Sequence, residues 1–277
     1  MKGTEHITGA GDSVVDFSVQ WRNFGGDNTG YYVSADMLAD IVGPLLPVDA
    51  IAGKDVADIG SGTGRIVAML LDAGARHVVA VEPSEGIHAL RRNLADRMDR
   101  VTALQGRGDT LPGTDAFDLI FSIGVLHHVP DPGPIVDTAF RALRPGGSMV
   151  VWLYGKEGNG LYLALLAGLR VLARWSPHWL LTSSAWLLSG TASLYGGLCR
   201  YLPLPLRRYF VEQFLKLSPK QRMMTVYDQL NPSHAKYYTN AEAHALLAAR
   251  GFHDVCCYHR HGYSWTVIGR KPAAPPG

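Results

Sequence analysis

Residues 57–66 read ADIGSGTGRI: an acid at the end of an apolar run, then glycines at alternate positions, then a helix-like continuation. Glycines so placed let a ligand approach the main chain with no Cβ in the way. Turns of this kind between a strand and a helix hold phosphates, dinucleotides or other small charged ligands. A phosphate loop of the Walker type needs lysine and then Ser/Thr after its last glycine, and Arg65-Ile66 follow Gly64, so that chemistry is excluded. A dinucleotide turn prefers G-x-G-x-x-G, whereas Gly60, Gly62 and Gly64 give G-x-G-x-G with Asp58 two residues ahead. A carboxylate there faces a pyrophosphate badly. It suits a ligand that is cationic at one end and carries no phosphate.

A second group with chemical potential is SIGVLHHVPD, residues 122–131, where His127 and His128 are adjacent. Imidazole is the side chain poised to take a proton near neutral pH. On a turn or an early helix, adjacent side chains point apart, so one imidazole is expected to face a site while the other packs. NPSHAKYYTN, residues 231–240, gathers His234, Tyr237 and Tyr238. No spacing of His, Asp, Glu or Cys suggests a metal site, and Cys199, Cys256 and Cys257 form no disulfide framework.

These groups need a scaffold, and the hydrophobic pattern supplies one. Buried strands are expected at 54–59, 77–82, 100–105, 117–122 and 147–154. Helices are expected at 64–74, at 84–97 with Ser84 as N-cap, and ahead of the Pro-Gly-Gly turn that ends at 147. Alternation at this spacing means a parallel sheet with helices on both faces. After Tyr154 the rhythm breaks. It returns with a helix at about 240–250 that Thr239 and Glu242 frame as a capping box, then two strands turning at Gly262. Ahead of the sheet, the aromatic-rich DFSVQWRNF precedes one helix over 31–46.

The chain has 277 residues, a hydrophobic content of 47% and a net charge of +2, which fits one large globular domain and not a protein-wide nucleic-acid field. The first residues lack the apolar core of a signal peptide, so a reducing, cytoplasmic setting is expected.

DIGSGTG (58–64), VVAVEPS (78–84), FDLIFSIGVLHHVPD (117–131) and LRPGGSMVV (143–151), in this order, resemble the class I S-adenosylmethionine-dependent methyltransferases. Within them the chain is most similar to the ubiquinone- and menaquinone-biosynthesis (methyltransferase type 11) group. The resemblance covers 52–155 and 238–270. It implies a Rossmann-like α/β fold: seven mostly parallel strands, the last antiparallel, with an N-terminal helical cover at 1–50 and a core at 51–157 and 228–272. S-adenosylmethionine is the implied cofactor. Gly60, Ser61, Gly62 and Gly64 would receive its methionine and ribose parts, Asp58 its ammonium group, and Glu82 both ribose hydroxyls. Ser122 would lie beside it. The family often carries G-D-A-E-x-L-P where this chain has GRGDTLP at 106–112. Arg107 stands in place of that aspartate, so the adenine would meet the backbone of Gly108, with Asp109 an open candidate for its amino group. His127, more than His128, is expected at the reaction centre. Trp21, Tyr31, Tyr32, Tyr154, His234, Tyr237 and Tyr238 are candidate acceptor contacts.

Residues 158–227 form the least typical stretch. Eight basic residues stand there against one acid, Glu212, with tryptophans at 175, 179 and 186. Residues 179–199 carry no charge, but Ser, Thr and Gly dilute them too much for a bilayer span. A helical cap packed on the core or on a second subunit, and a cap that meets a membrane surface to admit a lipid-linked acceptor, both remain open. The expected activity is methylation of a small or lipid-like acceptor at oxygen, carbon or nitrogen, with no nucleic-acid partner. A non-catalytic cofactor-binding assembly partner is the alternative.

Overall fold

In the computed structural model, the described residues are 14–15, 17–18, 21, 28, 30–160, 163, 178–230 and 234–273. They divide into two compact units, residues 1–28, 33–158 and 233–277, and residues 29–32 and 159–232.

The first unit is built on one seven-stranded sheet of order β3-β2-β1-β4-β5-β7-β6. Its strands are β1 (Asp55–Ile59), β2 (His77–Glu82), β3 (Val101–Gln105), β4 (Phe117–Ile123), β5 (Leu143–Tyr154), β6 (His253–Arg260) and β7 (Ser264–Arg270). The pairs β1–β2, β2–β3, β1–β4 and β4–β5 are parallel, while β7 runs antiparallel to both β5 and β6. Apolar runs such as Val56-Ala57 and Ile120-Phe121 are fully buried, as strands covered on both faces require. Helices α1 (Ala35–Val42), α2 (Arg65–Asp72), α3 (Gly86–Asn93), α4 (Gly133–Ala142) and α8 (Asn240–Ala248) flank the sheet. The Rossmann-like fold expected from the sequence is therefore present.

Local boundaries differ from the sequence reading where a tertiary contact competes. The helix expected over 31–46 is cut to α1, capped by the Ser34 hydroxyl, because Gly43 turns left-handed (φ 56°) ahead of Pro44. A Cβ at Gly43 would come within 2.4 Å of the Tyr258 ring. Ser84 supplies the capping hydroxyl as expected, accepting from the Gly86 N–H at 3.1 Å while it donates to Glu82; the regular turns of α3 begin one residue later than expected, after Glu85. Strand β5 begins at Leu143, ahead of the Pro-Gly-Gly turn, and takes it up as a register shift against β4. The Thr239–Glu242 capping box opens α8 as its spacing predicts.

Charges latch the amino-terminal ends of the strands, away from the glycine turn. Arg144 bridges Asp55 and Asp118 at 2.9 Å each, and Arg76 joins Asp55. The Arg76 hydrogen bond, then Arg144, holds the Asp55 carboxyl down at about 2.

The second unit is helical: α5 (His178–Cys199), α6 (Arg207–Glu212) and α7 (Pro219–Leu230). Its core includes Leu181, Ala185, Phe214, Met223 and Tyr227. Arg222 binds it internally, donating to the carbonyls of Phe214 at 3.1 Å and Leu215 at 2.7 Å and to the Ser193 hydroxyl at 3.2 Å. Among the described residues no helix is long and apolar enough to cross a membrane. Trp175, Arg170 and Arg174 of the expected cap lie outside the described residues.

Candidate functional site

The winding of the sheet changes direction between β1 and β4, and open α/β sheets gather ligands at the carboxyl ends of such neighbours. There β1 runs into the glycine turn. Gly60 and Ser61 donate their main-chain N–H to the Val81 carbonyl at 2.8 and 3.1 Å, and the Ser61 hydroxyl donates to the Asp58 carbonyl at 2.8 Å. Gly60, Gly62 and Gly64 all have left-handed φ (79°, 52° and 87°), which side-chain-bearing residues rarely adopt. A Cβ on Gly60 would lie 2.3 Å from Val125 of the facing β4 turn. Gly60→Ala is therefore expected to cost about 2–4 kcal/mol of stability, from left-handed strain and overpacking together. Urea unfolding would measure it, and a loss below about 0.5 kcal/mol would mean that Val125 simply yields.

Glu82, buried at the end of β2, ties this turn to the next. Its Oε2 accepts from the Gly62 N–H at 2.7 Å, and its Oε1 accepts from the Ser84 N–H at 2.9 Å and from the Ser84 hydroxyl. Beneath the turn lies Asp58, whose Oδ2 is buried without a partner among the described residues. Burial first, and the nearby Glu82 charge, push its carboxyl up to about 7, against the pull of Ser61.

A cleft of about 830 Å³, including its open mouth, sits over these residues. Gly60, Gly62, Glu82 and Gly108 line it, and so does Trp21, which stacks on Phe17 with ring centroids 6.1 Å apart. A Cβ on Gly108 would strike Ile59 at 2.5 Å, so glycine is required where the chain passes that strand. Asp109 is paired instead with Arg107 at 3.2 Å, and it is Arg107 that reaches the cleft wall. The Ser122 hydroxyl stays in the sheet, donating to the Ile59 carbonyl at 3.3 Å.

The two histidines are placed the other way round from the sequence expectation. His128 lines the cleft, with its ring 5.0 Å from that of Phe17. Its Nδ1 is 2.9 Å from the His234 carbonyl, an acceptor, so Nδ1 carries the proton and Nε2 is the basic nitrogen of the neutral ring. His127 is fully buried, stacked at 3.8 Å on Tyr154 and 5.8 Å from Trp152. Neither of its ring nitrogens has a hydrogen-bond partner among the described residues. Burial, then the neighbouring His128, hold it well below the usual histidine range, and a distant approach to the Trp152 main chain offsets little of this. The short turn at Leu126–His128 is a 3-10 helix, and its packing decides which ring turns inward.

The remaining candidates are dispersed. Tyr154 stacks between His127 and Tyr237, the latter at 5.2 Å. Tyr238 is a core residue, 2% exposed; its hydroxyl is pushed up to about 12 by burial and by Glu242. His234 contributes its main-chain carbonyl to His128, and its own Nε2 is buried. Tyr31 and Tyr32 belong to the second unit, where the Lys216 ammonium lies 4.8 Å over the Tyr31 ring. Sequence reasoning missed Phe17, Arg107 and Val125 as cleft residues. Phe17 sits one helical turn before Trp21, and that spacing could have found it; for Val125 no local signal exists.

Residues 57–151 match the sequence profile of the methyltransferase domain family. An uncharacterized methyltransferase of Mycobacteroides abscessus is 35% identical over 133 residues, 46% of this chain and 51% of that protein. A tRNA U34 carboxymethyltransferase of Hahella chejuensis is 32% identical over 139 residues, 47% of this chain and 42% of that protein. The chain thus spans about half the length of the curated relatives it matches. Among solved structures, the 1,6-didemethyltoxoflavin-N1-methyltransferase of Burkholderia thailandensis has the same fold, with a TM-score of 0.51, 16% identity, and coverage of 98% of this chain and 93% of that one. The motif order, the sheet topology and the profile match agree: residues 57–151 are a methyltransferase domain of the class I S-adenosylmethionine-dependent type.

Proposed function

We propose that this chain transfers a methyl group from S-adenosylmethionine to a small or lipid-like acceptor. The observation that carries the reading is Glu82 in the cleft wall, bound to the Gly62 turn, with the buried Asp58 carboxyl beneath that turn, its Oδ2 without a partner among the described residues. A cationic, phosphate-free nucleoside fits such a pair of acids, and a phosphate does not. Asp58 would balance the cofactor's ammonium group. Glu82 has room for a ribose hydroxyl on Oε2, and for a second on Oε1 when the Ser84 hydroxyl turns away. Gly60, Ser61, Gly62 and Gly64 would present main chain, Gly108 the adenine wall and Trp21 the lid. The bound cofactor supplies an electrophilic methyl group; much of the catalysis is orientation in a dry cleft.

A small acceptor is favoured over RNA because the cleft wall is apolar and the whole chain carries only +2. The test is labelled-methyl transfer into polar extracts, lipid extracts and purified tRNA of the host, with mass spectrometry of the product. Label in tRNA alone would transfer the acceptor assignment to nucleic acid. Calorimetric binding of the cofactor without label in any extract would favour the non-catalytic assembly partner.

Asp58 gives a separate pH test. Its carboxyl holds a proton to about 7 when folded, against 3.8 when exposed. The unfolded chain therefore releases that proton first, and ligand-free stability should fall as pH rises from about 4 to 7 and be level above. Asp58→Asn should remove that decline, gaining roughly 2–4 kcal/mol at pH 8. Cofactor affinity, in contrast, should drop in the variant and rise with pH through 7 in the parent. Superimposable melting profiles of parent and variant from pH 4 to 8 would refute the assignment.

A further inference from the structure

The second unit exposes a face too apolar for water. On α5, Leu181, Ala185, Ser189 and Cys199 turn inward and are buried. The opposite side leaves Leu187 71% and Leu194 74% exposed, in line with Leu180 one heptad before. Trp179 and Trp186, 69% and 46% exposed, form a second line beside it. Just after this helix in the chain come Arg200, Arg207 and Arg208, all exposed, and the chain carries no acid from His178 to Val211. Arg207 is braced by the Cys199 carbonyl at 2.8 Å, and Arg208 meets Glu212 only loosely, at 3.6 Å.

We infer that this face of α5 docks on the surface of an anionic lipid bilayer, lying in the interface and not crossing it. The chemistry selects that occupant. Leucines and tryptophans partition into the headgroup boundary, and guanidinium groups close after them in the chain meet lipid phosphates. Spanning is disfavoured because Ser183, Ser184, Ser189, Gly190 and Thr191 dilute the apolarity of the helix, and no described helix qualifies as a span. A second copy would bring two clusters of arginine together with no acid on this face to answer them. An RNA surface offers nothing to a row of exposed leucines. The inference concerns this unit by itself and does not depend on methyl transfer.

The full chain should float with phosphatidylcholine vesicles containing about 30% phosphatidylglycerol, bind pure phosphatidylcholine weakly, and be released as salt rises from about 50 to 500 mM. Arg200→Gln with Arg208→Gln should lower the partition coefficient about twentyfold. Leu187→Ser with Leu194→Ser should lower it at least tenfold. Tryptophan emission should shift to the blue on binding, and the shift should disappear in Trp179→Phe with Trp186→Phe. All these side chains are exposed, so unfolding midpoints should hold; should the leucine pair unfold, the arginine pair tests the same face. Equal binding to both vesicle types, or to neither, overturns the inference. So does dimerisation abolished by the leucine pair without vesicle binding, or tRNA binding abolished by the arginine pair.

Discussion

Glu82→Ala is expected to reduce S-adenosylmethionine affinity by about a thousandfold or more and to weaken the ligand-free fold at the same time. The carboxylate accepts from the Gly62 N–H, the Ser84 N–H and the Ser84 hydroxyl, so its removal orphans three donors at the edge of the cleft. Each unsatisfied buried group costs about 1–3 kcal/mol, and the ribose contacts vanish with them. Glu82→Gln retains one acceptor oxygen but turns an amide NH₂ toward the other donors, and should fall between parent and alanine. Calorimetry with the cofactor and its demethylated product, alongside thermal unfolding, reads both effects. Unchanged affinity in the alanine variant would take Glu82 out of the site.

The second large effect is expected at His128. It lines the cleft with its tautomer set by the His234 carbonyl, which makes Nε2 the nitrogen able to take a proton. If the acceptor is a hydroxyl or phenol, His128→Ala should lower turnover by roughly 10²–10⁴ with little change in cofactor affinity, and the acid limb of the pH profile should flatten. If the acceptor is carbon or already ionised, the loss should be far smaller and the profile unchanged. His127→Phe should behave oppositely. Both of its ring nitrogens are buried without hydrogen-bond partners among the described residues, so an apolar ring of similar size is expected to leave activity within a few fold and to match or exceed the parent's stability. A dead His127→Phe with an active His128→Ala would reverse the assignment.

Much of the first unit was legible because its signals are local. Val56-Ala57, Val78 to Val81 and Leu119 to Phe121 are apolar runs within segments of strand length, and their order with intervening helices dictates a parallel sheet. The glycine turn was legible because Gly60 and its neighbours need left-handed backbone. What escaped was decided by distant neighbours. Ser84 has the right type for a helix cap and accepts from the Gly86 N–H, but its second bond, the one it donates to the Glu82 carboxylate, has no signal in the sequence. Which of two adjacent histidines turns inward depends on the rings of Tyr154 and Phe17, far off in sequence. Tyr238 has the composition of a site residue and the position of a core residue, because its main chain is paired with Tyr154 and Lys156. Arg107 was seen only as a departure from the family pattern; its reach into the cleft follows from the 3-10 turn after β3.

That pairing of the outgoing and returning chain has a bearing on how such a protein diversifies. Gly155 and Tyr238 form a parallel bridge, with the Tyr238 N–H donating to the Tyr154 carbonyl and the Lys156 N–H to that of Tyr238. The chain between the two therefore leaves and returns at one bridge. Because the bridge is parallel, no tight turn can join its two sides, and a shortcut must cross over. A replacement of about a dozen residues can make that crossover, and lengthening it further adds only about 0.6 kcal/mol of closure entropy per doubling. Segments of different length can therefore leave and return at this bridge, but a replacement must also answer residues 30–32, which belong to the second unit.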